Sequence, residues 1–158
     1  MAAILVFAGA SFFFALAETA LFSLSKWQAR QLAERHPGAG KIVAQLLERP
    51  QDLLATLALG NTFANAAMLV VALRMVFNAN WTLALTMLML LVLTLLGCEV
   101  LPKTLAVRRP DRWALRVAWL MLIFEKITAP LHRVAQQLNA AILKIIAPQA
   151  APIQGGGA

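Results

Sequence analysis

The side chains most able to bind a ligand or take part in chemistry are polar residues that lie inside long apolar runs. Glu99 follows a stretch, residues 81–98, that contains no charged residue. An ionised carboxylate in hydrocarbon costs about 3 kcal/mol or more, so such a group faces a partner helix or a wet cavity and is a candidate functional residue. Pro102 lacks a backbone donor and frees carbonyl oxygens near Cys98. Carboxylate and carbonyl oxygens suit a hard cation, so this stretch is a candidate cation site.

Two other apolar runs carry neutral oxygen ligands at comparable depth. Counted from the inner ends of the runs at about 1.5 Å per residue, Asn61 and Glu99 lie roughly 12 to 14 Å deep, and Ser11 and Asn65 lie at about 20 Å. Side chains lean toward the N-terminus of their helix, which tilts Glu99 toward the deeper pair. No cluster of His or Cys suggests zinc or a soft metal. The predicted metal ligands are Ser11, Asn61, Asn65 and Glu99, with main-chain oxygens near Gly97 and Cys98.

Each of these residues has another explanation, which the sequence leaves open. Asn61 and Asn65 are equally consistent with hydrogen bonding between membrane helices. Glu99 alternatively reaches the headgroups at the membrane edge, or is protonated and neutral. Glu18, at a depth similar to Glu99, is alternatively a packing residue bonded to Thr19 or to a neighbouring backbone.

The composition indicates that an integral membrane protein carries these residues. Of its 158 residues, 61% are hydrophobic and 13% are charged, and the mean hydropathy is +0.73. Soluble domains are about one-quarter charged. The net charge of +7 is concentrated at the ends of apolar segments, as the positive-inside rule predicts, which argues against nucleic acid as a partner. The single cysteine excludes an internal disulfide framework.

Three apolar runs, residues 3–24, 52–76 and 81–107, are each long enough to span a bilayer. Between the first two, we expect a short helical hairpin on the inner membrane face, broken at residues 36–38. Asn78-Ala79-Asn80 is expected to form a tight turn, with Trp81 as an interfacial anchor. Five basic residues lie in the first connector and four follow the third span, against Arg74 alone on the outer side. This asymmetry predicts an outer N-terminus and a cytoplasmic C-terminus.

The C-terminal third is expected to lie in or below the membrane interface. Residues 113–124 are apolar but short, and Arg116 interrupts them, which favours an interfacial helix over a fourth span. Residues 130–148 separate polar from aliphatic side chains and predict a distinct amphipathic surface helix. The predicted fold is therefore an all-α membrane protein with three transmembrane helices plus juxtamembrane amphipathic helices. Its domain covers residues 1–148, and residues 149–158 form a flexible tail or linker.

Three segments resemble the transmembrane domain of the CNNM/CorC family of Mg²⁺ transporters. They are residues 13–21 (FFALAETAL), 59–65 (LGNTFAN) and 98–106 (CEVLPKTLA), and their order and spacing extend over nearly the whole chain. The resemblance implies a homodimer in which serine, asparagine, glutamate and main-chain oxygens bind Mg²⁺ in an inward-open cavity. It also implies cytoplasmic CBS domains in a longer parent chain.

The chain departs from the family pattern at three positions. The family often has Ser-x-Phe-Phe-Ser-x-Ser-Glu-Thr in its first helix, and here Ser11 stands at the first serine while Ala15 and Ala17 replace the others. The usual glycine before the glutamate is Cys98, with Gly97 one place earlier. Mg²⁺ requires near-octahedral geometry and readily keeps water, so water can occupy a corner left by Ala15.

The predicted function is transport of a divalent cation, Mg²⁺, across the cell (inner) membrane through an inward-open site between three helices. The alternative is a non-transporting dimeric membrane anchor or regulatory module, which Ala15 and Ala17 favour. An intramembrane hydrolase ranks third, because neither His36 nor His132 lies at membrane depth to act as a base. We therefore expect no enzyme activity. The expected partners are the lipid bilayer, a second copy of the chain and Mg²⁺.

Overall fold

The computed structural model describes the backbone of residues 2–79 and 82–146, and the side chains of residues 2–77 and 82–130. Every regular element in this part of the chain is a helix. The α-helices are α1 (Ala2–Phe22), α2 (Lys26–Arg35), α3 (Ala39–Glu48), α4 (Pro50–Ala79), α5 (Leu83–Val92), α6 (Leu101–Arg108) and α7 (Pro110–Ile146), and a π-helical segment (Leu93–Val100) joins α5 to α6. Three stretches are long and apolar enough to cross a membrane: Ala2–Phe22, Pro50–Phe77 and Leu83–Arg108. The predicted fold class is confirmed.

The first span is the central helix of the domain. α1 contacts α4, the π-helical segment, α6 and α7. In its most apolar part 44% of the residues are buried, against 22% in the second span and 11% in the third. Ala15, Ala17 and Ala20 are all buried on α1, and such small side chains let neighbouring helices approach closely. The second and third spans therefore pack around α1 and direct most of their apolar surface outward.

The connector between the first two spans forms the expected helical hairpin, α2 and α3. Ser25 begins α2 with a capping box: its hydroxyl accepts from the Gln28 N–H at 3.2 Å, and its own N–H donates to the Gln28 side chain at 2.9 Å. On α3, Gly40 lies so close to the Leu32 carbonyl that a Cβ would collide with it. The glycine therefore allows α2 and α3 to pack backbone to backbone.

The second span is longer than the apolar run that predicted it. α4 begins at Pro50, which suits the first helical turn because its missing N–H would be unpaired there. It continues through Asn78 and Ala79, so the prediction of a tight turn at these two residues is wrong. The remaining residues of that prediction, Asn80 and Trp81, lie outside the described part of the chain.

The two C-terminal helices expected on either side of Pro130 are a single helix, α7, which corrects that prediction. The turn before the proline is hydrogen-bonded both within α7 and to α4. The Thr128 hydroxyl donates to the Phe124 carbonyl one turn back and also lies 3.2 Å from the Thr56 hydroxyl on α4. This tertiary contact stabilises the helix where the proline removes a backbone bond. The polar and aliphatic faces predicted after Pro130, His132 included, and the tail at 149–158 lie outside the described side chains.

Near the N-terminal end of α1, the helices α1, α4 and α5 and the start of the π-helical segment line a partly open cavity of about 620 Å³. Its lining residues are Ile4, Leu5, Ala72, Met75, Leu85, Thr86, Met89, Leu90 and Leu93. The Thr86 hydroxyl donates to the Thr82 carbonyl one turn back at 3.3 Å, so its only proton is used locally. The cavity therefore has an apolar interior.

Candidate cation site

Three of the predicted ligand residues meet where α1 crosses α4. The Ser11 hydroxyl oxygen lies 2.8 Å from the Asn61 Oδ1 and 2.8 Å from the Asn65 Oδ1. The two asparagines are four residues apart on α4 and therefore share one helix face. Ser11 is fully buried, and both asparagines are half-buried. We call these three side chains the oxygen cluster.

The oxygen cluster contains more acceptors than the serine can serve. A serine hydroxyl carries one proton, so it donates to only one of the two amide oxygens at a time. The other amide oxygen then stands 2.8 Å from an oxygen with no proton between them. Either one amide turns its NH₂ group toward the serine, or a positive charge stabilises the converging oxygens. The arrangement is suited chemically to a cation.

The π-helical segment brings a buried sulfur against α1, near the turn that carries Ser11. Cys98 is buried, and its thiol donates to the Ala8 carbonyl on α1 at 3.6 Å. The thiol therefore links the third span to α1 next to the serine.

The Gly97 carbonyl lacks both of the backbone donors that a helix offers it. The Leu101 N–H bonds to the Leu96 carbonyl, five residues back, and so does not reach Gly97 in the α-helical register. In the π-helical register the donor would be residue 102, which is a proline and has no N–H. The expectation that Pro102 frees a carbonyl is met at Gly97, and single turns of π-helix are common at functional sites.

The structure does not join Glu99 to the oxygen cluster by a hydrogen bond. Its side chain is half-buried on the π-helical segment, directly after Cys98. Glu18 is also half-buried, two turns along α1 from Ser11. Within the described residues no group of three or more His, Cys, Asp or Glu side chains could hold a metal. A cation site among the described residues would therefore depend mainly on neutral oxygens, with fewer than three side chains of these types.

Sequence reasoning missed Ala8 and Phe14. The Ala8 contribution is a main-chain carbonyl, which no side-chain pattern reveals. The Phe14 ring occupies the space in which residue 60 would place a Cβ, so Gly60 is required for this contact. Gly60 itself was a signal in the sequence. A glycine inside a helix costs about 1 kcal/mol relative to alanine, so its presence there indicates a packing requirement.

These features define a three-span helical membrane domain with a polar site where its spans meet. The chain belongs to the CNNM family, since the family described as the Cyclin M transmembrane N-terminal domain matches residues 1–153. This match confirms the resemblance drawn from the motifs.

Similar proteins come from plants and bacteria. The chain is 34% identical over 148 residues to the DUF21 domain-containing protein At1g55930, chloroplastic, of Arabidopsis thaliana, a match covering 89% of this chain and 22% of the relative. It is 26% identical over 140 residues to the UPF0053 inner membrane protein YfjD of Escherichia coli (strain K12), covering 86% of this chain and 32% of the relative. The chain therefore spans between a fifth and a third of the length of these relatives.

Proposed function

We propose that this domain transports a divalent cation, Mg²⁺, and that the ion binds at the oxygen cluster in a cavity open to the cytoplasmic side. The main observation in support is the convergence of the Ser11, Asn61 and Asn65 oxygens within 2.8 Å contacts that a single proton serves. The chain belongs to the CNNM family. Its three motifs resemble those of the Mg²⁺ transporters in that family, which supports Mg²⁺ as the ion.

The donor set of this chain agrees with the coordination that Mg²⁺ requires. Mg²⁺ takes oxygen ligands in near-octahedral geometry and usually keeps several waters. The oxygen cluster offers three side-chain oxygens, the Gly97 carbonyl is available, and Glu99 supplies a charge. Ala15 is buried on α1 and offers no oxygen, so water completes the ligand shell.

Glu99 is proposed as the charged ligand. An ionised carboxylate inside the membrane needs a compensating positive charge or a proton. A divalent cation provides that charge and uses the neutral oxygens as well. Protonation of Glu99 removes the cost of a buried charge without a metal. The two explanations therefore predict different effects on Mg²⁺ binding when the charge of Glu99 is removed by substitution.

The substitution Glu99→Gln tests the charged-ligand role. It keeps the shape and the hydrogen bonding of a protonated glutamate but removes the charge a metal requires. We expect Mg²⁺ affinity, measured by calorimetry on the purified protein, to fall at least tenfold with the oligomeric state unchanged. The matched control is Glu18→Gln, the same change at a half-buried glutamate of α1. We expect a smaller loss of Mg²⁺ affinity in this variant. Unchanged affinity in Glu99→Gln would remove Glu99 from the site.

A second candidate is a non-transporting dimeric membrane anchor or regulatory module. The observation in its favour is that Ala15 and Ala17, where the family pattern has serines, are both buried and bring no oxygen to the site. Absence of Mg²⁺ binding by the parent protein at millimolar concentration would favour this candidate over transport.

The rest of the proposal concerns the setting of the domain. It lies in the cell (inner) membrane with its N-terminus outside and its C-terminus in the cytoplasm, and it acts as a homodimer without enzyme activity. The relative YfjD is named an inner membrane protein. In a longer parent chain, cytoplasmic CBS domains would follow α7.

A further inference from the structure

We propose that Phe14 is a positioning residue for the oxygen cluster, and that α7 acts on the cluster through the contact chain Phe124–Phe14–Gly60. The inference rests on the proposed cation binding at Ser11, Asn61 and Asn65. It adds to that function a route by which the position of α7 controls the site.

The first contact of this chain lies between α1 and α4. The Cε1, Cε2 and Cζ atoms of the Phe14 ring stand where a Cβ on Gly60 would be, and Phe14 is buried. Gly60 directly precedes Asn61, and Phe14 lies three residues after Ser11, on the same face of α1. The ring therefore fixes the separation of α1 and α4 within one turn of the Ser11–Asn61 contact.

The second contact lies between α1 and α7. The Phe14 and Phe124 rings have centroids 5.0 Å apart at an interplanar angle of 64°, a favourable edge-to-face arrangement. Phe13 lies 5.5 Å from Phe14 and 6.2 Å from Phe124, which completes an aromatic cluster. The Thr56–Thr128 contact holds α7 to α4 one turn further along α7. Phe14 is thus enclosed between the α4 backbone and α7.

A displacement of α7 would therefore reach the cluster through groups already in contact. Close-packed interiors transmit strain, because no void absorbs it. If Phe124 moves, the Phe14 ring moves with it, and the α1–α4 separation changes beside Ser11. Mg²⁺ demands short, near-octahedral ligand distances, whereas Ca²⁺ accepts longer and more irregular ones. A small change in separation should affect Mg²⁺ more than Ca²⁺.

The α1–α4 contact is tested with a pair of substitutions. Gly60→Ala places a Cβ against the ring and pushes the helices apart. Phe14→Leu removes the three ring atoms that this Cβ would meet, so the double variant restores the fit. By calorimetry we expect Gly60→Ala to weaken Mg²⁺ binding about tenfold and Ca²⁺ binding less, and the double variant to return within about threefold of the parent. Gly9→Ala is the control, since nothing lies within 4 Å of its added Cβ.

The α7 contact is tested without adding bulk. Phe124→Ala should weaken Mg²⁺ binding several-fold and lower the Mg²⁺/Ca²⁺ affinity ratio, and Phe124→Leu should recover part of the loss. Ile123→Ala changes the neighbouring residue, which is 53% exposed, and should leave both affinities unchanged.

Three results would overturn the inference. The first is equal loss of Mg²⁺ and Ca²⁺ binding in Gly60→Ala and Phe124→Ala, which is the signature of general destabilisation. The second is failure of Phe14→Leu to rescue Gly60→Ala. The third is a parent protein that binds neither ion, in which case the proposed function fails and this role fails with it. Thermal unfolding of the parent, Gly60→Ala, Phe14→Leu and the double variant distinguishes this third result, because it reports the packing of Phe14 on Gly60 without any metal.

Discussion

Ser11 is a buried hydroxyl that lies 2.8 Å from two amide oxygens and donates to only one of them at a time. It contacts Asn61 and Asn65 on α4 and lies beside Cys98 of the π-helical segment. A single side chain therefore connects all three spans. Its substitution should affect both the stability of the domain and any cation bound there.

Ser11→Ala is expected to lower stability and cation affinity together. Leaving a buried polar group without its partner costs about 1–3 kcal/mol, and here the two amide oxygens lose the only hydroxyl that either can accept from at Ser11. We expect a lower unfolding temperature in detergent and at least a tenfold loss of Mg²⁺ affinity by calorimetry. Ser23→Ala is the matched control, because Ser23 is exposed beyond the end of α1. A Ser11→Ala protein as stable as the parent would contradict the cluster's structural role.

The side-chain members of the oxygen cluster could be predicted from the sequence, whereas their neighbours could not. Ser11, Asn61 and Asn65 are polar residues in apolar runs, so their types alone indicated a buried role. The contacts of Phe14 with Gly60 and of Cys98 with Ala8 depend on how far each helix is rotated about its axis. One-dimensional spacing does not determine that rotation between helices distant in sequence.

At the scale of the element, the third span changes register over Leu93–Val100 and returns to α-helix at Leu101. Pro102 begins the new helix without a donor, and the Gly97 carbonyl remains without its backbone partner. The change in register is thus coupled to the presence of a main-chain acceptor beside Cys98 and Glu99.

Pro102→Ala should weaken cation binding with little loss of stability. The restored N–H can occupy the Gly97 carbonyl, so the ion loses a ligand, and the regained bond of about 1 kcal/mol offsets the lost packing of the buried ring. We expect a several-fold fall in Mg²⁺ affinity by calorimetry. Pro37→Ala changes a proline between α2 and α3, away from the cluster, and should leave binding unchanged. Equal effects of the two substitutions would contradict a local role for Pro102.

Most elements could be predicted from hydrophobicity and helix breakers. The three spans follow from three apolar runs, and the α2–α3 hairpin from the break at residues 36–38. The π-helical segment was not predicted, because register within a helix leaves little trace in composition. The continuity of α7 was missed for a different reason: the Thr128 contact with Thr56 is tertiary, and a local proline rule does not include it.

The whole molecule has an uneven distribution of apolar surface. The third span is only 11% buried in its most apolar part, against 44% for the first. Its exposed residues include Leu88, Leu91, Leu95 and Leu96. Such a surface faces lipid or a second copy of the chain.

We expect a homodimer, as in the two-fold assemblies that are commonest among oligomers. The molecular mass measured in nanodiscs should correspond to two chains. Leu95→Trp, on the exposed face of the third span, should reduce the dimer. Leu69→Trp on the second span makes the same change in size at another exposed leucine and serves as the comparison. A monomer in both nanodiscs and mild detergent would contradict the proposed assembly.

The orientation is tested by labelling in whole cells. In a Cys98→Ala background, His36→Cys on the α2–α3 hairpin should resist an impermeant thiol reagent, and Thr82→Cys at the opposite end of the third span should react. The charge asymmetry of the connectors is the reason for this expectation. Reaction at position 36 from outside would reverse the proposed topology.

The apolar cavity between α1, α4 and α5 has a consequence for permeation. The one polar side chain in its lining is Thr86, whose proton is already donated to the Thr82 carbonyl, and a water molecule needs two to four polar partners to remain in such a space. Hydrophobic constrictions stop ions by dewetting. Under the proposed function, an ion leaving the oxygen cluster toward the N-terminal end of α1 would meet a dielectric barrier. We expect release to the outer side to involve a movement of α5 relative to α1 and α4 that admits water to this cavity.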